Sequence, residues 1–203
     1  MDNKKHWENI YQKKEIDGVS WYQKVPVESL QLIKKYSISN SDKIIDIGCG
    51  KSFLADNLLE LNYTDISLVD ISSNALKEVK DRLQNKSLNF IETDILNFNS
   101  NDKYDIWHDR AVFHFLTEQN QIKKYVDLVS RNISNNGYLI IGAFSEQGPL
   151  KCSGLQVSRY SESLIKTTFI ESFTLLNSFK IDHSTPFNTT QNFLFSVLKK
   201  INV

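Results

Sequence analysis

Cysteine is nearly absent: Cys49 and Cys152 are the only two in 203 residues, so a disulfide framework is excluded. Three prolines and seven glycines leave no Pro- or Gly-rich linker, and no repeat or low-complexity tract occurs. A run of 18 apolar residues is missing, as is a signal-peptide pattern. The chain is therefore expected to be cytoplasmic, without a membrane partner. Excess charge of one sign is missing too, with Lys+Arg and Asp+Glu at 24 each. Without a basic block, nucleic acid is not an expected partner. Four dispersed histidines show no metal-ligand spacing, so no metal is expected. Nothing here speaks to oligomeric state.

What is present is organised around residues 43–55. Ile44, Ile45 and Ile47 form the β-branched run of a strand buried on both faces, interrupted by Asp46. Gly48-Cys49-Gly50 then turns the chain into a helix-competent stretch from Phe53 to Leu61. Strand, Gly-x-Gly turn and helix place a ligand at the carboxyl edge of a parallel sheet, near free helix N–H groups. Gly50-Lys51-Ser52 imitates the end of a P-loop, but Ile45 occupies the position of its first glycine. A dinucleotide fingerprint fails at Phe53, where its third glycine belongs.

Residues 1–40 read as one or two helices ahead of the sheet. Trp7, Tyr11, Trp21 and Tyr22 form either a cluster pinning this arm to the core or a lid over the ligand. Ile66 to Asp70 is a second strand ending in a carboxylate, able to accept both hydroxyls of a ribose. Ser72, Ser73 or Asn74 caps the following helix. Leu88 to Ile95 is a third strand ending at Asp94, and Tyr104 to Arg110 a fourth. Its exit, His108-Asp109-Arg110, puts three polar groups on a buried strand end, where ligand or partners must satisfy them. An ion pair between Asp109 and Arg110 is one way to do so. Ile122, Val126, Val129 and Ile133 give an amphipathic helix closed by Asn135-Asn136-Gly137, before a fifth strand at 138–144. A long loop, 145–158, has the length of a functional lid. Two strands, near 172–183 and 190–199, end the chain as an antiparallel hairpin.

Asp46-Ile47-Gly48-Cys49-Gly50, Asp70, Asp94-Ile95 and the terminal hairpin together resemble the class I S-adenosylmethionine-dependent methyltransferases. Ser52 stands where that family usually has a further glycine. The resemblance implies an α/β fold: a Rossmann-like, seven-stranded, mostly parallel sheet, helices on both faces and a C-terminal antiparallel hairpin. One domain is expected over 1–203, with residues 1–40 as a helical cap and 41–203 as the core. It also implies S-adenosyl-L-methionine as cofactor, held by Asp46, Gly48, Cys49, Gly50, Asp70, Ile71, Asp94, Ile95, Asp109 and Trp21. In that scheme Asp94 takes the adenine amine and Ile95 supplies backbone. Asp109 and His108 are the candidate catalytic residues, with His183 a further titratable candidate. An in-line displacement from a sulfonium needs mostly proximity and alignment. Expected around the acceptor are Trp21, Tyr22, Phe144, Ser153 and Tyr160, a lining suited to a compact small molecule. The Trp-Tyr and Ser-Trp-Tyr elements also resemble protein-lysine methyltransferases. A catalytically inactive S-adenosylmethionine-binding protein is the remaining alternative.

Overall fold

A computed structural model describes residues 2–84 and 87–201. Seven strands form one sheet: β1 (Ile44–Ile47), β2 (Ile66–Asp70), β3 (Leu88–Glu92), β4 (Tyr104–Arg110), β5 (Ile133–Phe144), β8 (Phe173–Ser184) and β9 (Thr190–Lys200). The order is β3-β2-β1-β4-β5-β9-β8. The first five pair in parallel, and β9 runs antiparallel to both β5 and β8. Two short strands, β6 (Lys151–Cys152) and β7 (Leu155–Gln156), make a separate small hairpin.

The central strands are buried on both faces, and alternate residues divide into two cores. Ile44, Leu68, Ile106 and Ile140 face α2 (Val27–Tyr36), α3 (Leu54–Glu60) and α4 (Ser73–Leu83). Ile45, Ile47, Trp107 and Ile141 face α5 (Gln119–Asn132) and α6 (Glu162–Phe169). Helix starts are fixed by side chains that satisfy free backbone donors. Ser72 accepts from Ala75 N at α4, Ser161 from Leu164 N at α6, and Glu118 with Gln121 forms a capping box at α5. The first helix, α1 (Asn3–Lys13), packs against α4 and crosses the carboxyl edge of β2.

Two local expectations are corrected. The turn expected at Asn135-Asn136-Gly137 lies inside β5, because α5 already ends at Asn132 and Ile133 pairs with Tyr104. Asn136 takes φ +66 there, within the irregular stretch between the Ile133 and Tyr138 pairings. A Cβ at Gly137 would meet Ile133 Cγ2 at 2.8 Å. The third strand stops at Glu92, and Asp94 instead caps a one-turn 3₁₀ helix at Ile95–Asn97.

Candidate active site

The carboxyl ends of β1, β2, β3 and β4 open into a cavity with about 930 Å³ of empty space, its mouth included. One side is the Gly48–Gly50 turn. Gly48 adopts φ +64 and Gly50 φ +52, conformations that side chains rarely take. A Cβ on Gly48 would lie 2.0 Å from Val112 Cγ2, and one on Gly50 2.4 Å from the Tyr11 hydroxyl. The glycines thus let α1 and the β4 exit close in on the loop.

Asp70 binds this loop together. Its Oδ2 accepts from Gly50 N and its Oδ1 from Ser72 N, each at 2.8 Å. Each oxygen keeps acceptor capacity, so the carboxylate can still receive two hydroxyls from the cavity side. Burial pushes its pKa up to about 6, against the pull of those two hydrogen bonds; the charges of Asp46 and Glu8 add to the rise. Asp94 uses Oδ1 on Leu96 N at 2.9 Å, while Ile71 and Ile95 offer apolar walls beside it. A polar diol site and a polar edge on apolar walls fit the ribose and base of a nucleoside.

The opposite end is aromatic. Trp7 and Tyr11 of α1, Trp21 and Phe115 line it, with Trp7 5.2 Å from Phe115 and 6.0 Å from Trp21, both edge-on. Such ring faces attract a sulfonium and exclude water. Arg110 and Cys152 complete the wall. Burial pushes the Cys152 thiol up to about 11, so it stays protonated.

The helix over this cavity is tied down by charge and hydrogen bonds. Glu8 accepts from Ser72 Oγ, Ser73 N and Oγ, Asn74 N and Asn74 Nδ2, at 2.6–3.3 Å. Burial alone would raise the Glu8 pKa, but the bonds from Ser73, Ser72 and Asn74 outweigh it and hold the carboxyl below its ordinary value. Lys4 pairs with Glu92 at 2.5 Å, and Lys51 Nζ donates to Lys14 O at 3.2 Å.

Of the residues read from sequence, Gly48, Asp70, Ile71, Asp94, Ile95 and Trp21 line the cavity. Asp46, Cys49 and Gly50 stand behind it. Asp46 is buried and bonded to His108 Nδ1 at 2.7 Å, whose Nε2 meets Ser29 Oγ of α2 at 2.8 Å. The catalytic expectation for His108 and Asp109 is corrected on this geometry. His108 joins β1 to α2 within the core. Asp109 is fully buried, accepting from Val112 N, Phe113 N and the Tyr125 hydroxyl at 3.0, 3.1 and 2.5 Å. Burial raises its pKa, with the Tyr125 bond pulling the other way. Nor does Asp109 pair with Arg110: it turns toward α5 instead. His183 donates Nε2–H to Ser20 O at 2.8 Å and lines a separate surface groove. Among the aromatic and small residues expected around the acceptor, Trp21 alone reaches this cavity; Phe144 and Tyr160 are core. Sequence reading passed over Thr93, Gln121, Leu116 and the role of Arg110. The signal for Arg110 was its place at the end of a buried strand.

A parallel sheet in this order, closed by an antiparallel hairpin and carrying a nucleoside cleft at its carboxyl edge, defines a class I S-adenosylmethionine-dependent methyltransferase fold. The match to the methyltransferase-domain family model covers residues 38–183, and the chain belongs to that family. Along 77 residues it is 34% identical to the eEF1A lysine and N-terminal methyltransferase of Mus musculus, covering 38% of the chain and 11% of that protein. It is 31% identical over 86 residues to malonyl-[acyl-carrier protein] O-methyltransferase 2 of Ilyobacter polytropus, covering 41% of the chain and 33% of that protein. The chain thus spans a third or less of these two curated relatives. In structure it is similar to the N-methyltransferase NodS of Bradyrhizobium japonicum, solved with S-adenosyl-L-homocysteine. That likeness has a TM-score of 0.76 at 16% identity, over 97% of this chain and all of that one.

Proposed function

We propose that this protein transfers a methyl group from S-adenosyl-L-methionine to a small-molecule acceptor. The observation that carries the reading is the cavity itself. One end offers Asp70 and Asp94; the other offers Trp7, Tyr11, Trp21 and Phe115. In this reading Asp70 takes the ribose hydroxyls, Asp94 and Ile95 hold the adenine, and the aromatic end receives the sulfonium. The bound cofactor supplies an electrophilic methyl carbon on a positively charged sulfur. The chain's part is to align the acceptor's lone pair opposite the carbon–sulfur bond and to keep water out. Alignment falls to Trp21, Phe115 and the β4 exit, which flank the space beyond the nucleoside site.

A compact acceptor suits the enclosed, largely apolar end of the cavity. A protein lysine is the second reading, favoured by the lysine methyltransferase named among the relatives. Methyl-labelled cofactor added to a cell extract split at about 3 kDa decides between them. Label is expected in the small-molecule fraction, and lost with Asp70→Ala. Label confined to a discrete protein band selects the lysine reading, and none in either fraction overturns both.

A further inference from the structure

Arg110 ends β4 and faces the aromatic end of the cavity. It also borders a smaller neighbouring cavity of about 370 Å³, so its head group stands between two spaces. Of the residues that line the main cavity it is the only Lys, Arg or His. Its protein contacts are few. Nη2 donates to Trp21 O at 3.0 Å, and the guanidinium lies 5.7 Å from the Phe193 ring centre. Among the described residues no carboxylate comes within ion-pair distance. The acids that bear on it electrostatically are Glu28 and Asp46. Asp46 is committed to His108, and Glu28 accepts from Gln23 Nε2 at 3.4 Å. Burial lowers the Arg110 pKa to about 10, so it remains a cation at neutral pH, with most of its donor fork unused.

A second observation concerns bases. Asp70 and Asp94, the only acidic residues in the lining, sit at the nucleoside end. The aromatic end holds no histidine or carboxylate, and the Cys152 and Tyr11 groups there are both held protonated by burial. An acceptor bound there has to present a lone pair without first giving up a proton. It must also tolerate a neighbouring guanidinium, which disfavours a lysine ammonium by like-charge repulsion.

Resting on the methyltransferase reading above, we propose that the acceptor is a carboxylate and that Arg110 is its receptor, through a forked pair of charge-assisted hydrogen bonds. One carboxylate oxygen forms the new bond to the methyl carbon as the carbon–sulfur bond breaks. The electron pair of that bond stays on sulfur, giving a neutral thioether and a methyl ester. The negative and positive charges cancel, no proton is released, and no base is required.

A carboxylate is also present on the amino-acid end of the cofactor, so the test separates the two sources. The protein is incubated with methyl-tritiated cofactor and the fraction of a cell extract below about 3 kDa. Products are then treated with mild base, which splits methyl esters to volatile labelled methanol. Most transferred label is expected to be volatile. With Arg110→Gln it should fall at least tenfold, while the dissociation constant for S-adenosylhomocysteine stays within about twofold. Arg110→Lys, which keeps the charge but loses the fork, should fall less. Base-stable label, or no transfer by a wild type that binds S-adenosylhomocysteine, overturns the proposal. So does an unchanged Arg110→Gln. If Arg110→Gln weakens S-adenosylhomocysteine tenfold but leaves 5′-methylthioadenosine, which lacks the amino-acid end, unaffected, Arg110 serves the cofactor and the acceptor assignment falls. A wild type that binds neither nucleoside fails the methyltransferase reading itself.

Discussion

Glu8 and Ser73, 65 residues apart, are joined by two hydrogen bonds, from Ser73 N at 2.7 Å and Ser73 Oγ at 2.8 Å to the same carboxylate oxygen. This contact sets α1 at the N-terminus of α4, where a carboxylate is favoured by the free N–H groups. It also places Trp7 and Tyr11 over the cavity.

If α1 has to lift for ligand to enter, Glu8→Ala should release it. S-adenosylhomocysteine is then expected to dissociate about tenfold faster, followed by the fluorescence of Trp7 and Trp21 in a stopped-flow chase. The melting temperature should change little, because α1 adds only Tyr11 to the fully covered side chains. An unchanged dissociation rate would show that α1 stays closed during exchange.

Asp70→Ala should weaken S-adenosylhomocysteine by roughly 2–3 kcal/mol, about 30- to 150-fold, through loss of charge-assisted bonds. Because the carboxylate titrates near 6, wild-type affinity should be flat above pH 7 and weaken up to about tenfold per unit below 6. The stability effect has the opposite sign. Between about pH 4 and 6 the folded chain holds this proton more firmly than the unfolded one, so the Asp70 contribution to stability falls as pH rises. Calorimetry at pH 5, 6, 7 and 8 checks the first statement; no pH dependence would put Asp70 outside the binding site.

Asp109→Asn should act on stability and not on chemistry. The buried carboxylate holds two backbone N–H groups and the Tyr125 hydroxyl, and disturbing it should cost about 2–4 kcal/mol. Below its lowered melting temperature the variant should bind S-adenosylhomocysteine within about threefold of wild type. A folded variant that binds normally but transfers no methyl group would return Asp109 to the catalytic residues.

Gly50→Ala meets two obstacles, its φ of +52 and the Tyr11 hydroxyl 2.4 Å from the new Cβ. Binding of S-adenosylhomocysteine should fall at least tenfold, and adding Tyr11→Phe should recover part of the loss by removing the hydroxyl. No recovery would assign the whole effect to backbone strain.

The central strands were legible because β1, β2 and β4 are apolar runs buried on both faces, which few other structures allow. The nucleoside end of the cavity was legible for a related reason: Gly48, Asp70 and Asp94 stand at strand ends, fixed in order by the alternation of strand and helix. The start of β5 was not legible. Asn135-Asn136-Gly137 has helix-stop chemistry, while its actual role, an irregular stretch of strand, depends on pairing with Tyr104 and on close packing at Gly137. His108 and Asp109 misled because polarity on a buried strand reads equally as catalysis or as a bonded core group. Only the partners, Ser29 from α2 and Tyr125 from α5, distinguish the two. Arg110 could be separated from its neighbours only once Asp109 was seen to turn away from it.

The most direct measurement is a calorimetric titration of the protein with S-adenosylhomocysteine and, in parallel, with NAD. Phe53 fills the third glycine position of a dinucleotide loop, packed 4.5 Å beneath the Arg82 guanidinium and edge-on to Tyr22. S-adenosylhomocysteine is therefore expected to bind with a micromolar dissociation constant and NAD to give no saturable heat. Saturable binding of NAD, tighter than that of S-adenosylhomocysteine, would contradict the account.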